Sequence, residues 1–198
     1  AQETYSISFN KENSNIPSNM IQAVHIDSTG NIWLGSNDAG LICYHENEFR
    51  DYNTENSPIP HNSVYTITSD LFSNIWIGTF GGGIAKFSPM NNEWEVYNTS
   101  NSDLSHDWIY SIAIDDSNNK WVATWGSGLF KFDDNSWVNY NHKNSPIPTY
   151  KVTSLFIDLE GNKWIGTMRG LLYFDDKNWI WYNNEENISE VSVYSILA

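Results

Sequence analysis

The feature that most constrains the fold is a tryptophan that returns at nearly constant spacing. The four copies are Trp33, Trp76, Trp121 and Trp164, which lie 43, 45 and 43 residues apart. Each is preceded by an aspartate six residues earlier and an asparagine two residues earlier. A glycine or alanine and then a serine or threonine follow it at the second and third positions. A fixed period of this length predicts a repeat architecture, in which each copy is one structural unit.

Each repeat reads as four short β-strands separated by turns. The first strand is "SVYTITSD" in the second copy, which is rich in β-branched and aromatic residues. A tight turn such as "DSTGN" leads to the tryptophan strand, and glycines lead to a third strand such as "IAKFS". A turn such as "DDNS" precedes the fourth strand, and a polar linker closes the unit. Four antiparallel strands per period of about 43 residues predict a β-propeller blade.

We therefore predict an all-β fold, a β-propeller of four complete four-stranded blades within a single domain, 1–198. An extra outer strand at the N-terminus and an extra inner strand at the C-terminus would make an incomplete fifth blade. The predicted blades are 19–61, 62–106, 107–149 and 150–190, with the outer strand and its linker at 1–18 and the inner strand at 191–198.

Three arrangements of the incomplete blade remain open at this point. The chain is cut from a longer propeller, another copy completes the arc, or the ring closes irregularly. Because exposed strand edges pair readily with other chains, we expect self-association through the open blade edges or an incomplete ring.

Charge and composition limit the partners. The chain has 24 acidic and 10 basic residues, a net charge of −14. This charge argues against nucleic acid as a partner, because the phosphate backbone requires lysine and arginine. No apolar run approaches the roughly 20 residues of a membrane span, so we expect no membrane insertion. The first residues, "AQETYS", are similar to what remains after signal-peptide cleavage, which favours export.

The stretch "SVYTITSDLFSNIWIGTFGGGIAKF" resembles the two-component regulator propeller repeat. The resemblance rests on the turn from Asp to Asn-x-Trp, the Gly-Thr after the tryptophan and the glycines that open the third strand. In that family the repeats form periplasmic sensor propellers of hybrid two-component systems, and those of gut Bacteroidetes sense carbohydrate breakdown products. The resemblance implies a periplasmic or secreted ligand-binding module, but it identifies no ligand residue. The chain is also similar to propeller lyases that open antibiotic rings, which need a metal and a histidine base.

Propeller geometry places the linkers and the loops after the tryptophan strands on one face, where the sequence varies between copies. Variable loops on a rigid scaffold are where binding usually occurs. The predicted ligand-binding residues of the loops after the tryptophan strands are assigned to equivalent positions in successive blades, and they are Asp38, Phe80, Trp125 and Arg169. The linkers add His61, His106, Trp108 and Tyr150. Aromatic faces beside polar groups suit a sugar or another small molecule. The alternatives are that the aromatic residues of the linkers are simply packed at strand starts, and that the histidines are exposed loop residues.

The sequence leaves three functions open. The first is a non-catalytic extracytoplasmic sensor that binds a small molecule or oligosaccharide. The second is a scaffold for protein–protein interaction, and the third is a lyase or hydrolase with His61 or His106 as base. The five histidines lack the spacing of a metal motif such as H-E-x-x-H. We therefore predict no catalytic residue, no metal site and no cofactor.

Overall fold

A computed structural model describes residues 6–182 and 191–197 of the chain. Across these residues, sixteen β-strands form four separate four-stranded antiparallel sheets, and no helix is present. In each sheet the strands lie side by side in chain order. This is the meander of a propeller blade, so the predicted all-β propeller is confirmed.

The four blades contain strands of four to six residues. Blade 1 contains β1 (Ile21–Ile26), β2 (Ile32–Ser36), β3 (Leu41–His45) and β4 (Glu48–Tyr52). Blade 2 contains β5 (Val64–Ser69), β6 (Ile75–Thr79), β7 (Ile84–Ser88) and β8 (Glu93–Tyr97). Blade 3 contains β9 (Ile109–Ile114), β10 (Lys120–Thr124), β11 (Leu129–Phe132) and β12 (Trp137–Tyr140). Blade 4 contains β13 (Val152–Ile157), β14 (Lys163–Thr167), β15 (Gly170–Phe174) and β16 (Trp179–Tyr182).

The repeated tryptophans form the core between successive blades. Trp33, Trp76 and Trp121 are at most 2% exposed. The Trp76 ring, for example, lies 6.3 Å from the ring of Phe132 in the following blade. Trp164 is only half-buried, because no blade among the described residues packs on its outer side. Burial between blades is thus confirmed for the first three tryptophans and is incomplete for the fourth.

One aspartate per blade organises the turn before the tryptophan strand. The side chain of Asp70 accepts the backbone N–H groups of Phe72 and Asn74 and the amide of Asn74, each at 2.9 Å. It also accepts the indole N–H of Trp76 at 2.9 Å. The same indole bond, at 2.8 to 3.0 Å, joins the pairs Asp27–Trp33, Asp115–Trp121 and Asp158–Trp164. The predicted role of these aspartates as turn caps is confirmed, and each one also holds its tryptophan.

The glycine after the tryptophan lets the next blade approach. A Cβ atom on Gly78 would lie 2.6 Å from the Ile109 side chain of the following inner strand. On Gly166 it would lie 2.7 Å from the carbonyl oxygen of Val193. The inner strands β1, β5, β9 and β13 are consecutive neighbours around the propeller axis. Close packing of the inner strands therefore requires glycine at Gly78 and Gly166, whereas blade 3 accommodates the methyl group of Ala123 at the same position.

The described part of the predicted N-terminal outer strand does not form a strand. Residues 6–10 have no strand structure, and residues 1–5 lie outside the described residues. Phe9 nevertheless packs on Tyr44 and Phe49 of blade 1, with ring centroids 5.2 and 5.4 Å apart. The last tyrosines of blades 1, 2 and 3 pack on the following blade in the same way. The segment lies where an outer strand would lie, but no strand among the described residues pairs with it.

The predicted C-terminal inner strand is likewise not formed as a strand. Residues 191–197 have no strand structure, although Val193 donates its N–H to Thr167 at 3.0 Å and accepts a bond from Ser154 at 3.2 Å. The segment therefore lies beside blade 4 where an inner strand would lie, and no second strand of that sheet is described. Residue 198 and the end of the predicted fourth blade, 183–190, lie outside the described residues.

Candidate functional site

The linkers and the loops after the tryptophan strands meet on one face, which we call the upper face. The backbone N–H of Gly81, after β6, donates to Asp107 of the next linker at 3.1 Å. Gly128, before β11, donates to Tyr150 of the following linker at 2.9 Å. The turns that contain the repeated aspartates lie on the opposite, lower face. Each upper loop is thus fixed against the neighbouring blade, which gives the variable side chains a rigid support.

Three aromatic residues of the upper loops, Phe80, Trp108 and Trp125, form what we call the aromatic rim. The rings of Phe80 and Trp108 are stacked, with centroids 4.3 Å apart, and Trp108 is 37% exposed. Trp125 stacks on Tyr110 of β9 at 5.0 Å. The ammonium group of the exposed Lys151 lies 4.2 Å from the centroid of the Trp125 ring, within the range of a cation–π interaction. The rim therefore combines flat apolar surface with a positive charge.

The rim borders a polar depression on the propeller axis, which we call the axial hollow. Its volume is about 260 Å³. Each inner strand and the C-terminal segment line it with two or three residues. One of these stands at the same position of every repeat, and these equivalent residues are Gln22, Tyr65, Tyr110, Thr153 and Tyr194.

Two of these tyrosines join the hollow to the rim. Tyr65 lies between Phe80 and Tyr110, with ring centroids 5.3 and 5.4 Å away, and Tyr110 carries Trp125 on its other side. Burial, together with the neighbouring Tyr65 and Tyr194, raises the pKa of Tyr110. Its hydroxyl therefore stays protonated at neutral pH and remains available as a hydrogen-bond donor.

The structure corrects the equivalence of the predicted loop residues. In every blade the residue directly after the tryptophan strand donates its N–H to the residue before the inner strand. These donors are Asn37, Phe80, Trp125 and Met168. Asp38 and Arg169 were predicted at this position, but both lie one residue further along. In blade 4 the loop is one residue shorter, because Thr167 pairs directly with Gly170, whereas Thr79 bonds Gly83 in blade 2. The sequence shows the same change, since Gly170 follows its tryptophan by six residues and Gly83 follows its tryptophan by seven.

Four of the predicted site residues make their contacts away from the rim. Asp38 accepts a hydrogen bond from the Ser18 hydroxyl at 2.5 Å. The carbonyl oxygen of Arg169 accepts the indole N–H of Trp181 at 3.3 Å. The ring of Tyr150 contacts His142 at 4.1 Å, and His61 is exposed in its linker. The structure thus brings together Phe80, Trp108, Trp125 and His106, whose ring lies 5.8 Å from that of Trp108.

Both loop histidines act as caps of the linker turn. The Nδ1 atom of His61 accepts the backbone N–H of Ser63 at 2.9 Å, and Nδ1 of His106 accepts that of Trp108 at 3.1 Å. Serine and threonine hydroxyls make the equivalent bond in the linkers before β1 and β13. Burial lowers the pKa of His106, so its ring is neutral at pH 7. With Nδ1 engaged as an acceptor, the proton of this neutral ring resides on Nε2, which can only donate.

Sequence reasoning did not identify the axial hollow or Lys151. The tyrosines do carry a signal, because they recur inside the matching strings "SVYTI", "IYSI" and "SVYSI". Alternation along a strand would place them opposite the blade-packing residues, but it does not show that five such positions converge on one axis. Among residues 6–182 and 191–197, no group of three or more histidine, cysteine or acidic residues is arranged to hold a metal ion.

One segment of the repeat pattern is matched by a family model. Residues 15–38 match the two component regulator propeller. The resemblance inferred from the repeats is confirmed by this match, which covers the end of one linker and the first two strands of blade 1. No curated protein matches the chain in sequence.

Solved structures of extracellular domains share the fold. The extracellular domain of the putative hybrid two component system BT3049 from B. thetaiotaomicron is 22% identical with a TM-score of 0.67, covering 90% of this chain and 31% of that one. That of BT4673 from the same organism is 21% identical with a TM-score of 0.69, covering 93% and 24%. This chain therefore spans about a quarter to a third of the length of those two proteins.

An enzyme also shares the architecture. A catalytically inactive virginiamycin B lyase from Staphylococcus aureus, solved with quinupristin, is 13% identical with a TM-score of 0.70, covering 86% of this chain and 58% of the lyase. At such low identities these likenesses show the propeller fold and leave the activity to be argued from the site.

Proposed function

We propose that this propeller is an extracellular sensor module that binds a small polyhydroxylated ligand, such as a mono- or disaccharide, without catalysing a reaction. The ligand lies in the axial hollow and stacks on the aromatic rim. The observation that carries the proposal is the continuous array from Phe80 through Tyr65 and Tyr110 to Trp125. It joins flat apolar surface to hydroxyl groups within one site.

The two parts of the site supply the two kinds of contact that a sugar needs. The outer face of Trp108 remains partly exposed, so it can pack against the C–H face of a sugar ring. Tyr65, Tyr110 and Gln22 line the hollow with groups that can both donate and accept hydrogen bonds. A hollow of about 260 Å³ is slightly below the roughly 300–1,000 Å³ of typical ligand sites. This size favours one or two sugar units.

The proposed location outside the cytoplasm is supported by the similar structures, which are extracellular domains. Within the described residues, no helix has the length and apolar character needed to cross a membrane. The proposal of a non-catalytic role is supported by the two linker histidines. Their Nδ1 atoms already accept backbone N–H groups, so neither offers a free base to a substrate.

The test is a binding screen with glucose, galactose, mannose and their disaccharides by thermal shift, followed by isothermal titration of each hit. Trp125→Ala and Tyr110→Phe should each weaken a confirmed sugar by about 1 kcal/mol, about fivefold in affinity. The matched control is Phe72→Ala, which removes an aromatic ring that is 74% exposed on the lower face. Unchanged sugar affinity in both upper-face variants would contradict the proposed site.

A protein-binding scaffold is the second candidate, and the lower face favours it. Leu71 and Phe72 are 66% and 74% exposed, and Leu159 is 98% exposed, all in the turns that join the first two strands of a blade. Exposed apolar side chains grouped on one face are typical of interaction surfaces. If Phe72→Ala abolishes capture of a partner while the upper-face variants retain it, the scaffold function becomes the better interpretation.

A further inference from the structure

The interface between blades 1 and 2 differs from the next two interfaces in the lysines that lie against the repeated tryptophan. Between blades 2 and 3, the buried Lys120 places its ammonium 4.8 Å from the Trp76 ring centroid and bonds Asp134 at 2.5 Å. Between blades 3 and 4, Lys163 lies 4.9 Å from the Trp121 ring and bonds Asp176 at 2.5 Å. Each of these interfaces therefore contains an ion pair that lies against the tryptophan of the preceding blade.

The first interface lacks both of the lysines that cover the other tryptophans. The residue equivalent to Lys120 is Ile75, because Ile75 directly precedes Trp76 as Lys120 directly precedes Trp121. The cross-strand partner of Trp33 is Cys43, where Trp76 has Lys86 and lies 5.9 Å from its ammonium. Among the described residues, Trp33 therefore has no lysine against its ring. No ion pair at this interface takes the place of the Lys120–Asp134 pair at the next one.

A cavity of about 450 Å³ lies at this interface, and we call it the lateral pocket. Its apolar wall includes Trp33, Tyr52 and Phe87, which are largely buried, and the half-buried thiol of Cys43. The pocket lies between two blades and is separate from the axial hollow, with which it shares no lining residue. It is therefore a second site in the fold.

The lateral pocket presents two opposite charges. Arg50 and Glu48 are two residues apart on β4, so their side chains project on the same side of the strand, about 6.6 Å apart along it. In blade 2 the residue equivalent to Arg50 is Glu95, which is paired with Lys86 at 2.7 Å. Neither Arg50 nor Glu48 forms an ion pair with another residue of the described chain. The charge at this position is reversed relative to blade 2, and neither charge is neutralised by a partner of opposite charge among the described residues. The guanidinium of Arg50 lies 5.1 Å from the centroid of the Tyr52 ring, which holds it at the pocket.

We propose that the lateral pocket binds a zwitterion of the α-amino-acid type with an apolar side chain. The ligand carboxylate pairs with the guanidinium of Arg50, whose planar donors suit a carboxylate. The ligand ammonium lies toward Glu48, and the apolar side chain packs against Tyr52 and Cys43. The ligand thereby replaces the ammonium and carboxylate that the two neighbouring interfaces supply from the protein itself. A ligand with only a carboxylate would leave Glu48 without a partner and would be repelled by it. A ligand with only an ammonium group would likewise leave Arg50 without a partner.

Alkylation of Cys43 by iodoacetamide tests the proposal, because Cys43 is the only cysteine of the chain and lines the pocket. The rate is measured on the whole chain at pH 8, where the zwitterion predominates, with three probes at equal concentration: L-phenylalanine, 3-phenylpropanoate and 2-phenylethylammonium. These probes share one apolar body. L-Phenylalanine should slow alkylation about threefold or more, and the two single-charge analogues should have little effect.

Substitutions identify the charged partners. Arg50→Gln and Glu48→Gln should each remove the protection by L-phenylalanine, whereas the exposed linker controls Lys143→Gln and Glu55→Gln should retain it. Protection is expressed as the ratio of rates with and without the probe, because Arg50→Gln also changes the reactivity of the thiol. Burial raises the pKa of Cys43, and the charge of Arg50 partly offsets this rise. As a second measurement, Cys43→Lys introduces into blade 1 the lysine that blade 2 has at the equivalent position, Lys86. This side chain would occupy the pocket, so the heat of L-phenylalanine binding in titration calorimetry should be abolished.

Three results would overturn the proposal. The first is the absence of protection by any of the three probes, and the second is equal protection by all of them. The third is full protection in Arg50→Gln. Because these measurements use no sugar and no residue of the rim, their failure leaves the proposed function of the upper face unaffected.

Discussion

The lower and upper faces of this propeller are built from the same strands but follow different rules. On the lower face, all four blades carry the same aspartate, asparagine and tryptophan with nearly identical hydrogen bonds. On the upper face, the residues after the tryptophan strands are Asn37, Phe80, Trp125 and Met168, which share only a backbone bond. The side chains are the same in every blade where they stabilise the fold, and they differ between blades where a backbone hydrogen bond alone holds the loop.

This difference has a physical cause. The lower turns contain a partly buried carboxylate that must be satisfied by several donors, so that no member of the group can change alone. The upper loops are held through backbone groups, which every residue type except proline provides. The upper face is therefore free to acquire a specific surface. Substitutions should separate the two faces by their effect on stability and on binding.

The largest loss of stability should come from the tryptophan that the lower turn holds. Trp76→Ala should lower the free energy of unfolding by about 3–5 kcal/mol, because the indole is fully buried between two blades. Trp164→Ala should cost less, since that ring is only half-buried. Urea denaturation of both variants measures the difference, and an equal cost at the two positions would contradict the interblade role.

The aspartates should rank next. Asp70→Ala should cost about 2 kcal/mol, because it leaves the indole of Trp76 and the amide of Asn74 without their acceptor in a largely buried turn. Asp158→Ala should cost about 1 kcal/mol, since its turn is more exposed. Neither variant should change the affinity for an upper-face ligand. A loss of affinity at unchanged stability would contradict a structural role for these residues.

Acid should weaken the same turns. Burial alone would raise the pKa of Asp70, but the bonds from Trp76 and Asn74 outweigh it and hold the pKa below its ordinary value. A carboxylate with a lowered pKa in the folded state contributes stability above its unfolded pKa of about 3.9 and loses it as pH falls toward the folded value. The stability difference between the wild type and Asp70→Asn should therefore shrink below about pH 4. A constant difference from pH 7 to pH 3 would show that the carboxylate charge is unimportant.

The smallest effect on stability should come from the upper face. Tyr110→Phe removes one hydroxyl at the axial hollow and should change the free energy of unfolding by less than about 0.5 kcal/mol. The same substitution should weaken a bound sugar, as proposed above. Thermal unfolding with and without the sugar measures both effects. A large loss of stability without the sugar would mean that the hollow, like the lower turns, is structural.

Much of the fold could be predicted because each blade is a local structure. The aspartate, the turn and the tryptophan lie within seven consecutive residues, so their spacing in the sequence reflects their hydrogen bonds directly. The candidate site was predicted only in part. Phe80, Trp108 and Trp125 come from three different loops, and the rings of Phe80 and Trp125 are connected through those of Tyr65 and Tyr110 on two inner strands. The predicted equivalence of Asp38 and Arg169 with Phe80 and Trp125 was wrong, because both lie five residues after their tryptophan and the loop residue that bonds the next linker lies four residues after it.

The sequence by itself determined the blade, because period, turn chemistry and strand pattern all act over short distances along the chain. Only the tertiary structure decided which side chains meet across blades, because those contacts depend on how neighbouring sheets pack. The axial hollow collects Gln22, Tyr65, Tyr110, Thr153 and Tyr194 from positions up to 172 residues apart. The lateral pocket arises because Cys43 and Ile75 replace lysines that are present in the next interface. Each residue is ordinary in its own strand, and the chemistry of both sites depends on the packing of adjacent blades.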